Sequence, residues 1–470
     1  MEETRKRQAL AGVMLSTFLA AMESTVVATA MPTVVASLGG LAVYSWVFSG
    51  FLLTSTVTMP LWGRLSDLYG RRPMYLTGLA VFLAGSALSG AAPSMAALIA
   101  FRMLQGLGAG ALITVGMTVV GELFGLERRA RMQGMISGVW GVASLLGPLL
   151  GGLLTDHVSW RWVFYINVPF GAVAMALIAT ALRDESRPRR RPVIDYAGLA
   201  LFAVGVSALL LGAVAGGRGG AWTGLLVVGP EALGVAALAA FVAVERRAAE
   251  PIVPLRLFRN RVVLAAVVTG FLAGMAMFGA ISFVPLFMQS VVGTSATRAG
   301  FVLTPFVLGW VAFSVVSARL ALRVGYRPLV VAGMLCLTVA FLLLTRWTSG
   351  LTPAEAMLAM LVGGVGMGLN MVPMLIAVQS AVPRDTLGIA TSMTQFFRAV
   401  GGALGLSLMG TVMARRLAAD LPVESALHAV FVVGLVVCVA ALASAFLVPA
   451  GSARDLARAD MRGEPTRAGG

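Results

Sequence analysis

Charge is scarce in this chain: Asp, Glu, Lys and Arg make up only 12% of its 470 residues. Soluble globular domains carry roughly a quarter of their residues as charges, so an ordinary soluble enzyme is excluded. Cysteine and histidine are scarcer still, at two residues each. Cys336 and Cys438 fall inside apolar runs and His157 and His428 near the ends of others, with no metal-ligand spacing and no nucleophile motif beside them. Small core thiols and solvated histidines account for them, so no metal, no cofactor and no enzymatic activity are expected. Long polar stretches are missing too: the longest piece outside the apolar runs has about twenty residues. A membrane receptor or sensor would need an output domain, and that piece is too short to supply one.

Hydrophobic residues make up 59% of the chain, and it holds 55 glycines. Runs of roughly 20 apolar residues, long enough to cross a bilayer, mark a polytopic membrane protein. They lie at 9–31, 43–62, 74–92, 96–123, 133–154, 163–182, 195–215, 222–244, 262–290, 299–318, 328–346, 354–381, 387–413 and 426–448. That gives fourteen predicted spans, numbered here in order. With the N-terminus inside, 27 Lys plus Arg fall in cytoplasmic segments, six in external ones, and Arg102 and Arg398 inside spans. This bias places both termini in the cytoplasm. The net charge of +15 then reads as positive-inside bias with contact to anionic membrane lipid, not as nucleic-acid binding. Arg5-Lys6-Arg7, an apolar stretch and Ala28-Thr29-Ala30 imitate a secretory signal peptide. Glu23 interrupts the apolar stretch, however, and removing the span would break the charge parity of every later loop.

A charged turn, Gly63-Arg64-Leu65-Ser66-Asp67-Leu68-Tyr69-Gly70-Arg71-Arg72, joins spans 2 and 3. A worn copy, Arg319 to Pro328, follows 255 positions after Arg64 to Pro73, with Leu322 in place of Asp67. Gly106, Gly108 and Gly110 match Gly364, Gly366 and Gly368 at offset 258, and Gly147 matches Gly402 at 255. Two six-helix halves follow, as in transporters that rock one bundle against the other. The predicted domains are an N-terminal bundle at 1–182, a linker with two extra membrane helices at 183–250, a C-terminal bundle at 251–450, and a disordered cytoplasmic tail at 451–470. The polar linkers Arg183 to Pro192 and Glu245 to Arg261 are expected to lie along the membrane surface.

These motifs resemble the major facilitator superfamily and, within it, the fourteen-span drug:proton antiporters, over nearly the whole chain. Besides the turn, the match includes Ala97 to Gly106 around Arg102 on span 4, and Gly141 through Gly147-Pro148-Leu149-Leu150-Gly151-Gly152 on span 5. It also includes Glu23 to Val27 with Pro32, Ser159 to Phe164 with Asn167, Asp195 to Gly198, and Phe397-Arg398 before Gly401-Gly402. Glu23 sits where the family usually has Asp, and Phe51 where many members have Tyr. The resemblance implies an all-α membrane protein of the major facilitator fold. It also implies proton-coupled export of hydrophobic and cationic small molecules across a bacterial inner membrane, as in multidrug efflux and antibiotic resistance. Export of a lipid or secondary metabolite is the nearer alternative; a non-transporting receptor is the distant one. The protein is expected to act as a monomer.

Glu23 is the only acid well inside a core-bundle span, roughly 12 Å from the external end of span 1, and Arg102 is roughly 9 Å from that of span 4. A carboxylate in the bilayer is costly, and a nearby guanidinium offsets that cost; the opposition suits a proton-coupling site, with a static ion pair as the alternative. Arg102 could instead snorkel to the headgroups. Arg398, near mid-bilayer, is expected to face the cavity and balance Glu23 or a substrate charge, or else to bond backbone carbonyls.

At the turn, Asp67 suits the positive N-terminal end of span 13, and Arg71 or Arg72 could pair with Glu122. The resemblance implies the same docking, a latch with Gly63 and Gly70 among its residues, closed in the outward-facing state. An exposed pair there would contribute about 1 kcal/mol or less. Gly141, Gly147, Pro148, Gly151 and Gly152 would let span 5 bend and approach its neighbour, which the family reading connects with limiting proton leak. Pro230-Glu231 reads as the start of span 8; a start at Trp222 would bury Glu231 as a second proton or cation site. Trp46, Phe51, Gln105, Phe283, Gln289, Asn370 and Gln379 are candidates for the substrate cavity.

Overall fold

Lipid offers no partner for backbone N–H and C=O groups, so a chain of apolar runs must form helices or a closed barrel. The computed structural model describes residues 3–39, 46–183, 195–217, 224–248, 251–294 and 296–449, and among them every regular element is helical. The helices are α1 (Glu3–Leu38), α2 (Trp46–Tyr69), α3 (Arg71–Gly90), α4 (Met95–Leu123), α5 (Leu126–His157), α6 (Trp162–Tyr165), α7 (Asn167–Ala181) and α8 (Tyr196–Gly217). They continue with α9 (Leu225–Glu245), α10 (Arg261–Ser290), α11 (Ala296–Phe301), α12 (Thr304–Val324), α13 (Tyr326–Leu344), α14 (Pro353–Ser380), α15 (Leu387–Ala418) and α16 (Val423–Ala445).

Each of the fourteen predicted runs falls on a helix, with runs 6 and 10 each meeting a short helix and a long one. Among the described residues twelve helices are long and apolar enough to cross a membrane. The long helices α2 and α5 are not among the twelve; α2 carries Ser49, Thr54, Ser55, Thr56 and Thr58 along its middle. Side chains set several starts. Ser94 accepts from Ala97 N, Asn260 from Val262 N, and Thr352 with Glu355 forms a reciprocal capping box. One expected boundary is corrected: α9 begins at Leu225, so Pro230 and Glu231 lie inside it rather than at its start. Most of the first polar linker and the tail 451–470 lie outside the described residues. The second linker contains a 3-10 turn at Leu255–Arg259.

The sequence repeat is also a packing repeat. In the first half α1 packs on α5 and α7, α4 on α2 and α3, and α3 on α7. In the second, α10 packs on α15 and α16, α14 on α12 and α13, and α13 on α16. The alternating glycines explain why the helix at each hub kept its pattern. Gly106 and Gly110 lie against α2 at Phe51 and Ser55, and Gly108 against α3 at Gly78 and Phe82. In the copy, Gly364 and Gly368 lie against α12 and Gly366 against Gly333 of α13. A side chain at any of these positions would hold two helices apart.

The halves meet through α2 against α15 and, symmetrically, α12 against α5. The pair α8–α9 covers one of these seams: α8 packs on both α2 and α15. Val57 and Met59 of α2, Phe202, Val206 and Leu210 of α8 and Phe396 of α15 share one apolar core. Phe202 tilts against Phe241 of α9 and Phe396 of α15, each at 5.3 Å between ring centroids. The Ser407 hydroxyl donates to the Ala213 carbonyl, binding α15 to α8.

Candidate functional site

Two polar constellations stand out in this apolar framework. The first is buried within the first half. Arg102, 1% exposed on α4, pairs through Nη1 with Oε1 of Glu23, fully buried on α1. Its Nη1 also donates to Gln105 Oε1 at 2.8 Å, and its Nε to the Val47 carbonyl at 3.3 Å. The guanidinium lies over the Phe51 ring, 4.2 Å from the centroid, and 5.8 Å from that of Phe164. Phe51 therefore meets the arginine with a ring face, a contact that needs no hydroxyl. Arg102 is enclosed and does not reach out to headgroups.

The other carboxylate oxygen is held from a third helix. Asn167 Nδ2 donates to Glu23 Oε2 at 2.6 Å and to Ser86 Oγ at 2.9 Å, while the Ser86 hydroxyl donates to the Phe164 carbonyl at 2.9 Å. Asn167 is fully buried and is the first residue of α7, just after the break from α6 at Ile166. Sequence reasoning placed Asn167 only within a motif and passed over Ser86. The available signal was polarity within an apolar run: a buried Asn in lipid needs partners. Gln105 Nε2 and Asn167 Oδ1 are buried without a partner, so one donor and one acceptor stand open beside the ion pair.

The second constellation joins the halves at the end that carries the charged turn. Asp67 Oδ1 accepts from Gly388 N and Oδ2 from Ile389 N, both at 2.9 Å. These are the second and third residues of α15, whose amides have no partner within their own helix. Arg71 Nη1 lies 2.5 Å from Asp67 Oδ1, and its Nη2 2.8 Å from Glu122 Oε1. Gly70, at φ 99°, makes the break that lets Arg71 fold back, a backbone angle that costs glycine nothing. Gly63 lies against the Gly388 carbonyl and Ser392, and the closeness leaves no room for a Cβ. The expected pair with Glu122 is made by Arg71 and is less exposed than anticipated, its side chains 9% and 28% exposed, and the Asp67 side chain beside it is fully buried. Arg72 is exposed.

The repeat gives this contact a neutral counterpart. Tyr326 stands 255 positions after Arg71, and Ser380 stands 258 after Glu122. Their hydroxyls are neighbours, with Arg129 of the first half nearby. An ionic pair in the first half is thus matched by two hydroxyls in the second.

Gln379 belongs to the same closure. Its Nε2 donates to the Met117 carbonyl at 3.2 Å and Thr391 Oγ1 at 3.3 Å, its side chain packs on Gly121, and its backbone carbonyl accepts from Arg129 Nη1 at 3.4 Å. Gln133 Nε2 donates to the same Met117 carbonyl at 3.1 Å.

The other candidates are not brought together. Arg398 donates to Met371 Sδ at 3.5 Å, and no carboxylate lies within salt-bridge distance of it among the described residues. It is not among the groups that hold Glu23. Phe283 is buried in the second-half core, Asn370 is buried with Oδ1 unpartnered, Gln289 is exposed at the end of α10, and Trp46 is half-buried. On α5, Gly147 lies against Thr25 Oγ1 and Gly151 against Thr29 Oγ1, both of α1. Gly141 faces Val311 of α12, and Gly152 faces open space. The Pro148 side chain lies outside the described set, and α5 runs unbroken from Leu126 to His157. Glu231 packs against Gly212 of α8.

The family model of the Major Facilitator Superfamily matches residues 13–406. Multidrug transporter protein MdtP of Bacillus subtilis (strain 168) is 40% identical over 416 residues, covering 88% of this chain and 76% of that protein. Multidrug resistance protein 3 of the same organism is 36% identical over 417 residues, covering 88% and 81%. A transporter of the acurin A biosynthesis cluster of Aspergillus aculeatus is 34% identical over 405 residues, covering 85% and 73%. Among solved structures, the human organic anion transporter MFSD10 superposes with a TM-score of 0.65 at 19% identity, covering 92% of this chain and 99% of that one. The proton:xylose symporter XylE follows at 0.64 and 13%, covering 93% and 95%.

Proposed function

The chain belongs to the Major Facilitator Superfamily, and we propose that it is a proton-coupled antiporter that exports hydrophobic and cationic small molecules by alternating access. The observation that carries this reading is the buried Glu23–Arg102 pair. Two opposite charges in a lipid-surrounded bundle cost more than an apolar pair of the same size, so stability alone is a poor reason to keep them. A carboxyl that must give up its proton on one side of the membrane and take it up on the other is a better one. Water reaching Glu23, or withdrawal of Arg102, changes whether the charged form is tolerated, and the rocking of the halves supplies both changes. The names of the Bacillus relatives support multidrug export.

In this reading fourteen helices cross a bacterial inner membrane, the charged turn and both termini face the cytoplasm, and the Asp67 contact holds the cytoplasmic end shut. Phe51 and Gln105 border the central cavity beside Arg102. The protons are the coupling ion, and no further cofactor is invoked. A second reading, export of a secondary metabolite on the same scaffold, is favoured by the biosynthesis-cluster relative. Dye efflux from cells, with and without a protonophore, tests the energy source. Efflux is expected to stop when the protonophore is added; efflux that persists would remove proton coupling. Efflux of several unrelated cationic dyes supports multidrug export, and handling of a single compound class supports the metabolite reading.

A further inference from the structure

Asn167 carries an unexplained feature: its amide makes two hydrogen bonds through Nδ2 and none through Oδ1, which is fully enclosed. A buried acceptor left open costs free energy, and it calls for a reason. The orientation is fixed by chemistry. An ionised carboxylate only accepts, so the NH2 side of the amide must face Glu23. Both Glu23 oxygens are then occupied by N–H donors, Oε1 by Arg102 and Oε2 by Asn167. A proton arriving on Oε2 would lie between the carboxyl and an N–H, where there is no acceptor for it.

We propose that Asn167 is the positioning residue for proton exchange at Glu23, presenting Nδ2 to the carboxylate and, after a half-turn of its amide, Oδ1 to the protonated acid. The proposal rests on the reading of Glu23 as the proton site. In the turned orientation Oδ1 accepts the new O–H of Glu23, and it also stands where Nδ2 now meets Ser86, whose hydroxyl can rotate to donate to it. The acceptor that is open in one protonation state is used in the other, while Nδ2 gives up its bonds to Glu23 and Ser86 and takes the place Oδ1 had. No atom is added, and only the proton moves onto Oε2. The half-turn needs no helix motion, so proton arrival is separated from the rocking of the bundles. Arg102 of α4 is the one charged neighbour of Glu23 among the described residues; Gln105 of α4 and Asn167 of α7 are its neutral polar neighbours.

The test is an infrared titration of the full-length protein in liposomes. The carboxylic C=O band of Glu23 is identified by its loss in Glu23→Gln. In Asn167→Leu, which has neither donor nor acceptor, the acid has no partner for its O–H, and its band is expected to move to higher frequency. The bond to the ionised form is the stronger of the two that are lost, so the titration midpoint is expected to rise by about one pH unit, a tenfold change in proton affinity. Asn167→Gln, which keeps the amide, is expected to restore most of both. Asn167→Ala, which also has neither donor nor acceptor, carries the same expectation where the larger side chain does not fold. An unmoved band and midpoint in a folded Leu or Ala variant, or a Glu23 that does not titrate, overturns the proposal. Should the band behave as described while wild-type transport ignores an imposed pH gradient, the proposal stands and proton-driven export falls. If gradient-driven transport persists with the band unmoved, the reverse holds.

Discussion

Asp67 and Gly388 are 321 positions apart in the chain and joined by a hydrogen bond of 2.9 Å, the carboxylate of one half accepting a backbone amide at the start of a helix in the other. The neighbouring Asp67 oxygen takes the amide of Ile389 in the same way. Both acceptors are charged, both donors are helix-terminal amides, and Arg71 closes the arrangement from behind.

Asp67→Asn removes that charge and leaves Glu122 as the carboxylate that pairs with Arg71. The bond between the halves is expected to weaken by about 1.5–3 kcal/mol, so the closed end should open at least tenfold more often. Replacing Cys336 and Cys438 gives a background in which Ser392→Cys, buried against Gly63, reports the opening through its rate of labelling by a membrane-impermeant maleimide. Labelling no faster than in the parent would show that Asp67 does not hold the halves together.

Glu23→Gln should abolish uphill efflux driven by a pH gradient in proteoliposomes while leaving substrate-for-substrate exchange measurable. Undiminished gradient-driven transport would end the coupling role. Stability offers an independent reading of the pair. Either Glu23→Gln or Arg102→Gln alone leaves one buried group without its partner, at a cost of about 3–5 kcal/mol for such charges. The double variant should therefore melt above the Glu23→Gln single, which keeps the orphaned guanidinium.

Two neighbouring glycines of α5 make a matched comparison. A methyl on Gly151 meets Thr29 Oγ1 and the Val26 carbonyl, whereas Gly152 faces open space. Gly151→Ala is expected to destabilise by about 1–3 kcal/mol through overpacking, and Gly152→Ala to be neutral or slightly stabilising through better helix propensity. Thermal melts of the two variants check this; equal losses would mean that α1 and α5 do not need this close approach.

Gly121→Val should force the Gln379 side chain away from the position in which it bonds Met117 and Thr391. Faster Ser392→Cys labelling is expected, and Gln379→Ala should raise it as well. If both variants label at the parent rate, Gln379 takes no part in closing this end.

Much of the architecture was legible because lipid narrows the choices: apolar runs had to be helices, and the glycine ladder of α4 and α14 repeated because the same close approaches recur. The turn likewise marked a place by its spacing of Asp67, Gly70 and Arg71. Its burial was not legible, since only the folded halves supply the surface that encloses Asp67. Asn167 escaped selection because one polar residue inside an apolar run does not disclose its partner until the fold brings Glu23, 144 positions away, against it. Gln379, read as a cavity candidate, meets Gly121 and Met117 through packing between halves that no periodicity encodes. The start of α9 was misread because Pro230 favours a first turn locally, while the apolar stretch ahead of it already forms helix.

The unequal pairs at the two copies of the turn give the protein an internal standard for ionic strength. Arg71 with Glu122 is a charged contact with a partly exposed carboxylate, whereas Tyr326 with Ser380 carries no charge. Added salt weakens exposed charge pairs and leaves neutral ones alone. Conformational balance at this end should therefore shift with salt through the Arg71–Glu122 contact, and exchanging these two residues for Tyr and Ser should reduce that shift.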